Sequence, residues 1–150
     1  MKEIRGIEIE ILSEASFERF GKIIEPNKKN LFIQYEDGSA FHVLAKSKSN
    51  GWRVAVLKLR TRTIIELQVH RSTMETFEPL KGTAIVCVNT TPSLEGLKAF
   101  ILDRPILLYT NIWHNVLTIS EESLIKITEN DEVDSEEIKI QGLISPILHY

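Results

Sequence analysis

Residues 7–12 (IEIEIL) alternate apolar and charged positions with period two, which predicts an opening strand with one face toward a core. Ser13 follows as a helix N-cap. The run EASFERF then spaces Phe17 and Phe20 on one helical face, and Gly21 is placed for a left-handed turn that ends the helix. Beyond this one short helix, turn signals recur at short intervals: Pro26-Asn27, Asp37-Gly38, Asn50-Gly51, Pro79, Gly82, Pro92, Gly96, Pro105, Asn130-Asp131 and Gly142. Between them lie the β-rich runs LFIQY, AFHVL, WRVAVLKL, TIIELQVH, TAIVCV, LKAFIL, PILLY, IWHNVLTI, SLIKIT and EEIKIQ. Many short strands with close turns predict an all-β sandwich or barrel rather than a layered α/β fold, with a second helix confined to Ser93–Lys98. Asn50-Gly51 is the strongest local hairpin signal and predicts that AFHVL pairs with WRVAVLKL. The charge run Glu129–Glu137 (ENDEVDSEE) reads as a solvated loop before a last strand. It lacks the ligand spacing and central glycine of a calcium loop.

Composition narrows the class. At 150 residues the chain suits a single domain spanning 1–150, large enough to bury a continuous core. A hydrophobic fraction of 43% and a charged fraction of 26% argue against disorder. The formal charge of -3, with Lys and Arg scattered, speaks against nucleic-acid binding. No apolar run approaches the roughly 20 residues needed to span a bilayer, and the N-terminal MKEIRGIEIEIL lacks the layout of a signal peptide. Cys87 is the only cysteine and sits in the apolar run AIVCV, so the expectation is a buried, inert thiol in a cytoplasmic protein.

The candidate chemistry lies in two strands. Alternation in TIIELQVH places Ile64, Glu66, Gln68 and His70 on one face and Ile65, Leu67 and Val69 on the other. The polar set is expected to face a hollow barrel interior, and the apolar set to be covered by a second sheet or another subunit. Glu75 follows after a turn, Phe77 and Pro79 would wall the pocket, and Gly82 would make the next turn. In IWHNVLTI, His114 stands alone on a face with Ile112, Val116 and Thr118, a pattern that by itself also suits a hydrogen-bonded core histidine. Taken jointly, two imidazoles and a carboxylate from separate strands predict a metal or substrate pocket, with His70, Glu75 and His114 as metal ligands. Trp52 and Trp113 are expected in the core or a subunit interface, and His42 and His149 have no partners in sequence.

Gln68, His70, Glu75 and Gly82 fall on the first cupin motif, H-x-H-x(3,4)-E-x(6)-G, with its first histidine replaced by glutamine. His114 falls where the second motif keeps its histidine. The chain resembles one cupin branch in particular, the ureidoglycolate lyases. LSEASFERFGKIIE (12–25) is similar to that family's N-terminal helix, ELQVHRSTMETFEPLKG (66–82) to its E-L-E-R-H-P-x-x-x-Q-x-F-x-P-x-x-G stretch, PSLEGLKAFI (92–101) to its P-x-L-x-x-L-x-A-F segment, and NIWHNVLTI to its N-V-W-H-H-P-L motif. It departs from the pattern at Gln68, Val69, Arg71, Glu75, Asn115 and Val116.

The resemblance implies a cupin-type antiparallel double-stranded β-helix, or jelly-roll barrel, with a short N-terminal helix. It also implies a homodimer and a role in purine breakdown through cleavage of ureidoglycolate to glyoxylate and urea. A divalent metal, nickel in this family, would be held by His70, Glu75 and His114, with Gln68 as a weaker or substrate-side partner. A cation should meet the substrate carboxylate, for which Lys58, Arg60 and Lys81 are candidates by placement. Glu66 and Tyr109 are candidate bases, though Glu66 also suits a rim ion pair and Tyr109 a core aromatic. The alternative is a cupin that binds a metabolite or metal without turning it over, as a sensor or accessory protein.

Overall fold

The computed structural model describes residues 4–147. Its elements in chain order are β1 (Ile4–Glu10), α1 (Glu14–Phe17), β2 (Gly21–Ile23), a 3₁₀ turn (Lys28–Asn30), β3 (Leu31–Gln34), β4 (Ala40–His42), β5 (Trp52–Leu59), β6 (Ile64–Val69) and β7 (Glu75–Lys81). They continue as β8 (Ala84–Asn89), β9 (Lys98–Ile101), β10 (Ile106–Leu108), β11 (Trp113–Thr118), β12 (Ser123–Asn130) and β13 (Glu136–Ile147). The order β1-β13-β6-β11-β8-β9 closes into a barrel, faced by a five-stranded sheet in the order β2-β10-β7-β12-β5, while β3 and β4 form a separate hairpin. This is the cupin-type jelly-roll architecture. It is not antiparallel throughout: β1 pairs in parallel with both β13 and β9 to close the barrel. No described helix is long and apolar enough to cross a membrane.

Two apolar cores flank one shared wall. On β8 and β11, Ala84, Val86, Val88 and Val116, joined by Ile112 just ahead of β11, point into a core built with Phe17, Phe20, Phe77 and Phe100, which fills the space toward the five-stranded sheet. Their alternates Ile85, Cys87, Trp113 and Leu117 point the other way, into a second core with Leu67, Val69, Ala99 and Ile144. Period-two alternation with apolar residues on both faces is what a strand buried on both sides requires. The apolar face of β6 is thus covered within the chain, by the roll of β13 and β1. Strict alternation along β6 also fails at one end. Ile64 joins Leu67 and Val69 in the second core while Ile65 is partly exposed, because β13 bulges between Lys139 and Ile144 where it pairs with β6.

Several local expectations change. Helix α1 is a single turn, held by a reciprocal capping box between Ser13 and Ser16. Gly21 makes no left-handed turn; it lies in β2, where an added Cβ would sit 1.8 Å from the Leu107 carbonyl oxygen, so glycine is there for close backbone approach. AFHVL does not pair with WRVAVLKL. Asp37-Gly38 makes the hairpin instead, with Gly38 at φ 94°, pairing β3 with β4, and β5 pairs with β12 along its whole length. Residues 93–97 form bends and a turn rather than a helix, and Lys98 opens β9. The charge run is not all loop, since Glu129 and Asn130 belong to β12.

Candidate metal centre

His114 lies on β11 with Gln68 of β6 as its direct cross-strand partner, so both side chains face the interior between the barrel wall and the five-stranded sheet. His70 follows the last residue of β6 and is pinned there, its carbonyl accepting from the Asn111 N–H at 2.9 Å. Glu75 does not come from a strand folded back beside β6. It opens β7 in the facing sheet, between Leu108 of β10 and Glu129 of β12, and reaches across the interior. All three side chains are more than nine-tenths buried.

The two rings share one polarity. His70 Nδ1 lies 2.7 Å from the Asp134 carbonyl oxygen and His114 Nδ1 lies 2.9 Å from that of Ile112. A carbonyl only accepts, so each Nδ1 carries a proton and each ring turns its Nε2 inward. Both Nε2 atoms meet the same carboxylate oxygen: Glu75 Oε1 is 2.9 Å from His70 Nε2 and 3.1 Å from His114 Nε2. Those approaches are within ion-pair distance, yet Glu75 Oε1 and His114 Nε2 make no aligned hydrogen bond and are left as buried polar atoms without a partner.

Three electron-rich atoms within 4.8 Å of one another, two of them orphaned, fit a cation among them. Donors about 2.0–2.1 Å from a common ion would stand about 3 Å apart as neighbours, close to the separations seen. Imidazole and carboxylate together suit a divalent first-row metal, and carbonyls fixing the far nitrogens are what such ligands need. Burial works to raise the Glu75 carboxyl, but the imidazoles of His114 and His70 outweigh it and hold the group well below the usual carboxylate range. The Glu75 carboxylate, against the opposing effect of burial, holds His70 above the ordinary imidazole value.

The surrounding residues divide between those the fold brings to the cluster and those it does not. Phe77 walls the site, its ring 6.0 Å from that of His114, Pro79 follows on the same inward face of β7, and Gly82 makes the turn after β7 at φ 77°. Gln68 is beside the cluster. Glu66 is half-buried two residues away on β6, where its carbonyl accepts from Asn115 Nδ2. Tyr109 packs against the first core and lines a cavity under α1 with Gly21 and Lys22. Lys58 and Arg60 lie at the opposite end of β5 from the residue paired with Glu129, both held by Glu122, and Lys81 is at the far end of β7 from Glu75. Trp113 is in the second core, with the Arg71 guanidinium 5.5 Å from its ring, while Trp52 is 72% exposed on the outer face of β5. His42 is tied to Asn27, and His149 lies outside the described residues.

Three residues missed from the sequence complete the surroundings. Glu129 is buried beside Glu75 and paired with Arg53, whose Nη2 is 2.7 Å from Glu129 Oε2. Burial first, and then the neighbouring Glu75 carboxyl, push the Glu129 carboxyl up against the effect of Arg53. Asp134 accepts from the backbone N–H groups of Arg71 and Ser72 and from the Ser72 hydroxyl, which fixes the carbonyl that orients His70. The period-two run Ser123, Ile125, Ile127 was the available signal for Glu129: extended by one step it turns that side chain inward.

The family described as ureidoglycolate lyase matches residues 4–144. Ureidoglycolate lyases of Escherichia coli O1:K1 and of Escherichia coli O139:H28 are each 28% identical, with 88% of this chain and 94% of theirs covered. Among solved structures, a TDP-quinovose 3,4-ketoisomerase of Campylobacter jejuni is 15% identical, covers 70% of this chain and 84% of its own, and has a TM-score of 0.47. A variant of the Bacillus subtilis oxalate decarboxylase is 17% identical, covers 60% of this chain and 24% of its own, and has a TM-score of 0.44.

Proposed function

We propose, from the premise that this chain belongs to the ureidoglycolate lyase family, that it eliminates urea from ureidoglycolate, or a closely related hydroxy acid, to give glyoxylate with the help of a divalent metal. The observation that carries the metal-dependent reading is the convergence of two imidazole Nε2 atoms on one buried oxygen of Glu75. His70, Glu75 and His114 would hold the ion, nickel being the one the family resemblance implies. When bound, a divalent ion supplies a Lewis acid that lowers the pKa of a coordinated hydroxyl.

The chain's own residues do the rest. Asp134 and Ile112, through their carbonyls, keep both rings in the ligating tautomer. Phe77 and the first core exclude water from the inner side of the site. The elimination needs a base for the substrate hydroxyl proton and an acid for the departing nitrogen. Of the two bases suggested by the sequence, Glu66 shares β6 with Gln68, and His70 follows that strand directly, whereas Tyr109 borders the cavity under α1. Gln68, the register partner of His114, would bind substrate. Arg53 pairs with Glu129 at the site end of β5, and it replaces Lys58, Arg60 and Lys81 in this reading as the cation nearest a substrate carboxylate.

Asn115 stands where the family motif has its second histidine. It lies on the opposite face of β11 from His114, so this departure leaves the ligand set intact. The exposed apolar residues Trp52, Val54 and Val56 on the outer face of β5 support a homodimer joined through that face, which sedimentation would test. A cytoplasmic setting suits the single buried Cys87.

Binding without turnover is the second reading, favoured by the distance of Lys58, Arg60 and Lys81 from the cluster. Metal analysis of the purified protein combined with a glyoxylate-release assay separates the two. Bound metal and release that is lost in His70→Ala support the lyase; bound metal without release in the wild type leaves the binding protein.

A further inference from the structure

Three charged side chains line up across neighbouring strands. Arg53 of β5 is the register partner of Glu129 of β12, and Glu129 is the register partner of Glu75 of β7. Residues directly opposite one another share a face, so the whole row points into the interior, ending at the metal-ligand cluster. From this row we infer that Glu129, locked by Arg53, is a positioning residue that aims the Glu75 carboxylate at the two imidazoles. The inference rests on the metal reading above and adds a residue to it.

The geometry of the lock is one-sided. Arg53 Nε and Nη2 lie 2.8 and 2.7 Å from the same oxygen, Glu129 Oε2, which leaves the other oxygen for the neighbouring carboxyl. Glu129 and Glu75 are both more than nine-tenths buried and stand directly opposite one another on adjoining strands. Glu75 needs such a partner. Its side chain has three rotatable bonds, it opens a strand directly after the irregular segment 70–74, and the imidazoles reach only one of its oxygens. Without Glu129 the carboxylate would be free to turn its ligating oxygen away from His70 and His114. Arg53 is half exposed and anchored on an edge strand, so it connects the orientation of a buried ligand to the outer rim of the sheet.

The experiment is a titration of the purified full chain with Ni2+ alone, in wild type, Glu129→Ala, Glu129→Gln and Arg53→Met, with Lys58→Ala as a distant control. Partners that orient a metal ligand are typically worth about 10–100-fold in affinity, and that loss is expected in Glu129→Ala, with a smaller loss of the same sign in Arg53→Met. Glu129→Gln should return most of it, because an amide can accept from Arg53 and donate to Glu75. The visible absorption of the Co2+-loaded protein should change in Glu129→Ala and revert in Glu129→Gln, which a merely structural role would not produce. Unchanged affinity in Glu129→Ala, or equal losses in Ala and Gln, overturns the assignment while the metal reading stands. If Glu129→Ala does not fold, unchanged affinity in Arg53→Met overturns it. Absence of Ni2+ binding by the wild type overturns both.

Discussion

His70 and His114 address a single atom: their Nε2 nitrogens stand 2.9 and 3.1 Å from the same oxygen of Glu75, one arriving from just past the end of β6 and the other from the start of β11. Removing either ring breaks the convergence. His114→Ala is expected to lower divalent-metal affinity by about 100-fold or more, beyond the 10–100-fold that follows loss of an orienting partner. A metal titration in which this variant matches the wild type would dismiss the centre.

Metal bound only by the folded chain stabilises it by mass action, about 2.7 kcal/mol when the free ion is at 100 times its dissociation constant. For a chain of this size that corresponds to a rise in Tm of roughly 5–10 °C. Scanning calorimetry with and without a chelator should show that difference in the wild type and little of it in His70→Ala.

Asp134 sets an acid limit on the loop that orients His70. The Ser72 hydroxyl, joined by the N–H of Arg71, brings its carboxyl down from the usual value to about 2. A depressed carboxyl stabilises the fold fully above its unfolded value near 3.8 and loses that contribution as pH falls toward its folded value. Acid titration of stability between those limits should therefore be steeper in the wild type than in Asp134→Ala. Superimposable curves would rule out this role.

Gly21→Ala should be among the most damaging single-methyl changes in the molecule. The new carbon would fall 1.8 Å from the Leu107 carbonyl oxygen, which is backbone and cannot rotate away. The cost is expected at or above the upper end of overpacking penalties, about 3 kcal/mol, read from denaturant midpoints. A loss under about 1 kcal/mol would mean that β2 and β10 separate more easily than their pairing implies.

Cys87 is fully buried and its thiol is pushed up to about 12 by desolvation. Near neutral pH it should resist alkylation in the native protein and react promptly once unfolded. Labelling without denaturant would show that the second core opens.

Much of the architecture was legible because period-two alternation survives in strands buried on both sides, and the triad was legible because its members are residue types seldom buried without a role. What could not be read locally was pairing over distance. Asn50-Gly51 has the composition of a tight hairpin, yet β5 spends all eight of its residues on β12, some seventy positions away in the chain. Glu129 was hidden by its neighbours. A charge run reads as solvent-exposed until a strand is known to extend into it, and it is Arg53 on the adjoining strand that pairs with the buried carboxyl. Gly21 was recognised as special for the wrong reason, since a steric demand from a distant carbonyl leaves no trace in local sequence.

The strand β11 belongs to two rooms at once, holding His114 toward one and Trp113 and Leu117 toward the other. The rear room is sealed by β1 and β13, the first and last strands of the fold, neither of which carries a ligand. Closure of the barrel at its chain ends therefore sets the footing of an imidazole they never touch. A change to the rear packing should register in front as altered ion capture, well before the molecule loses its shape.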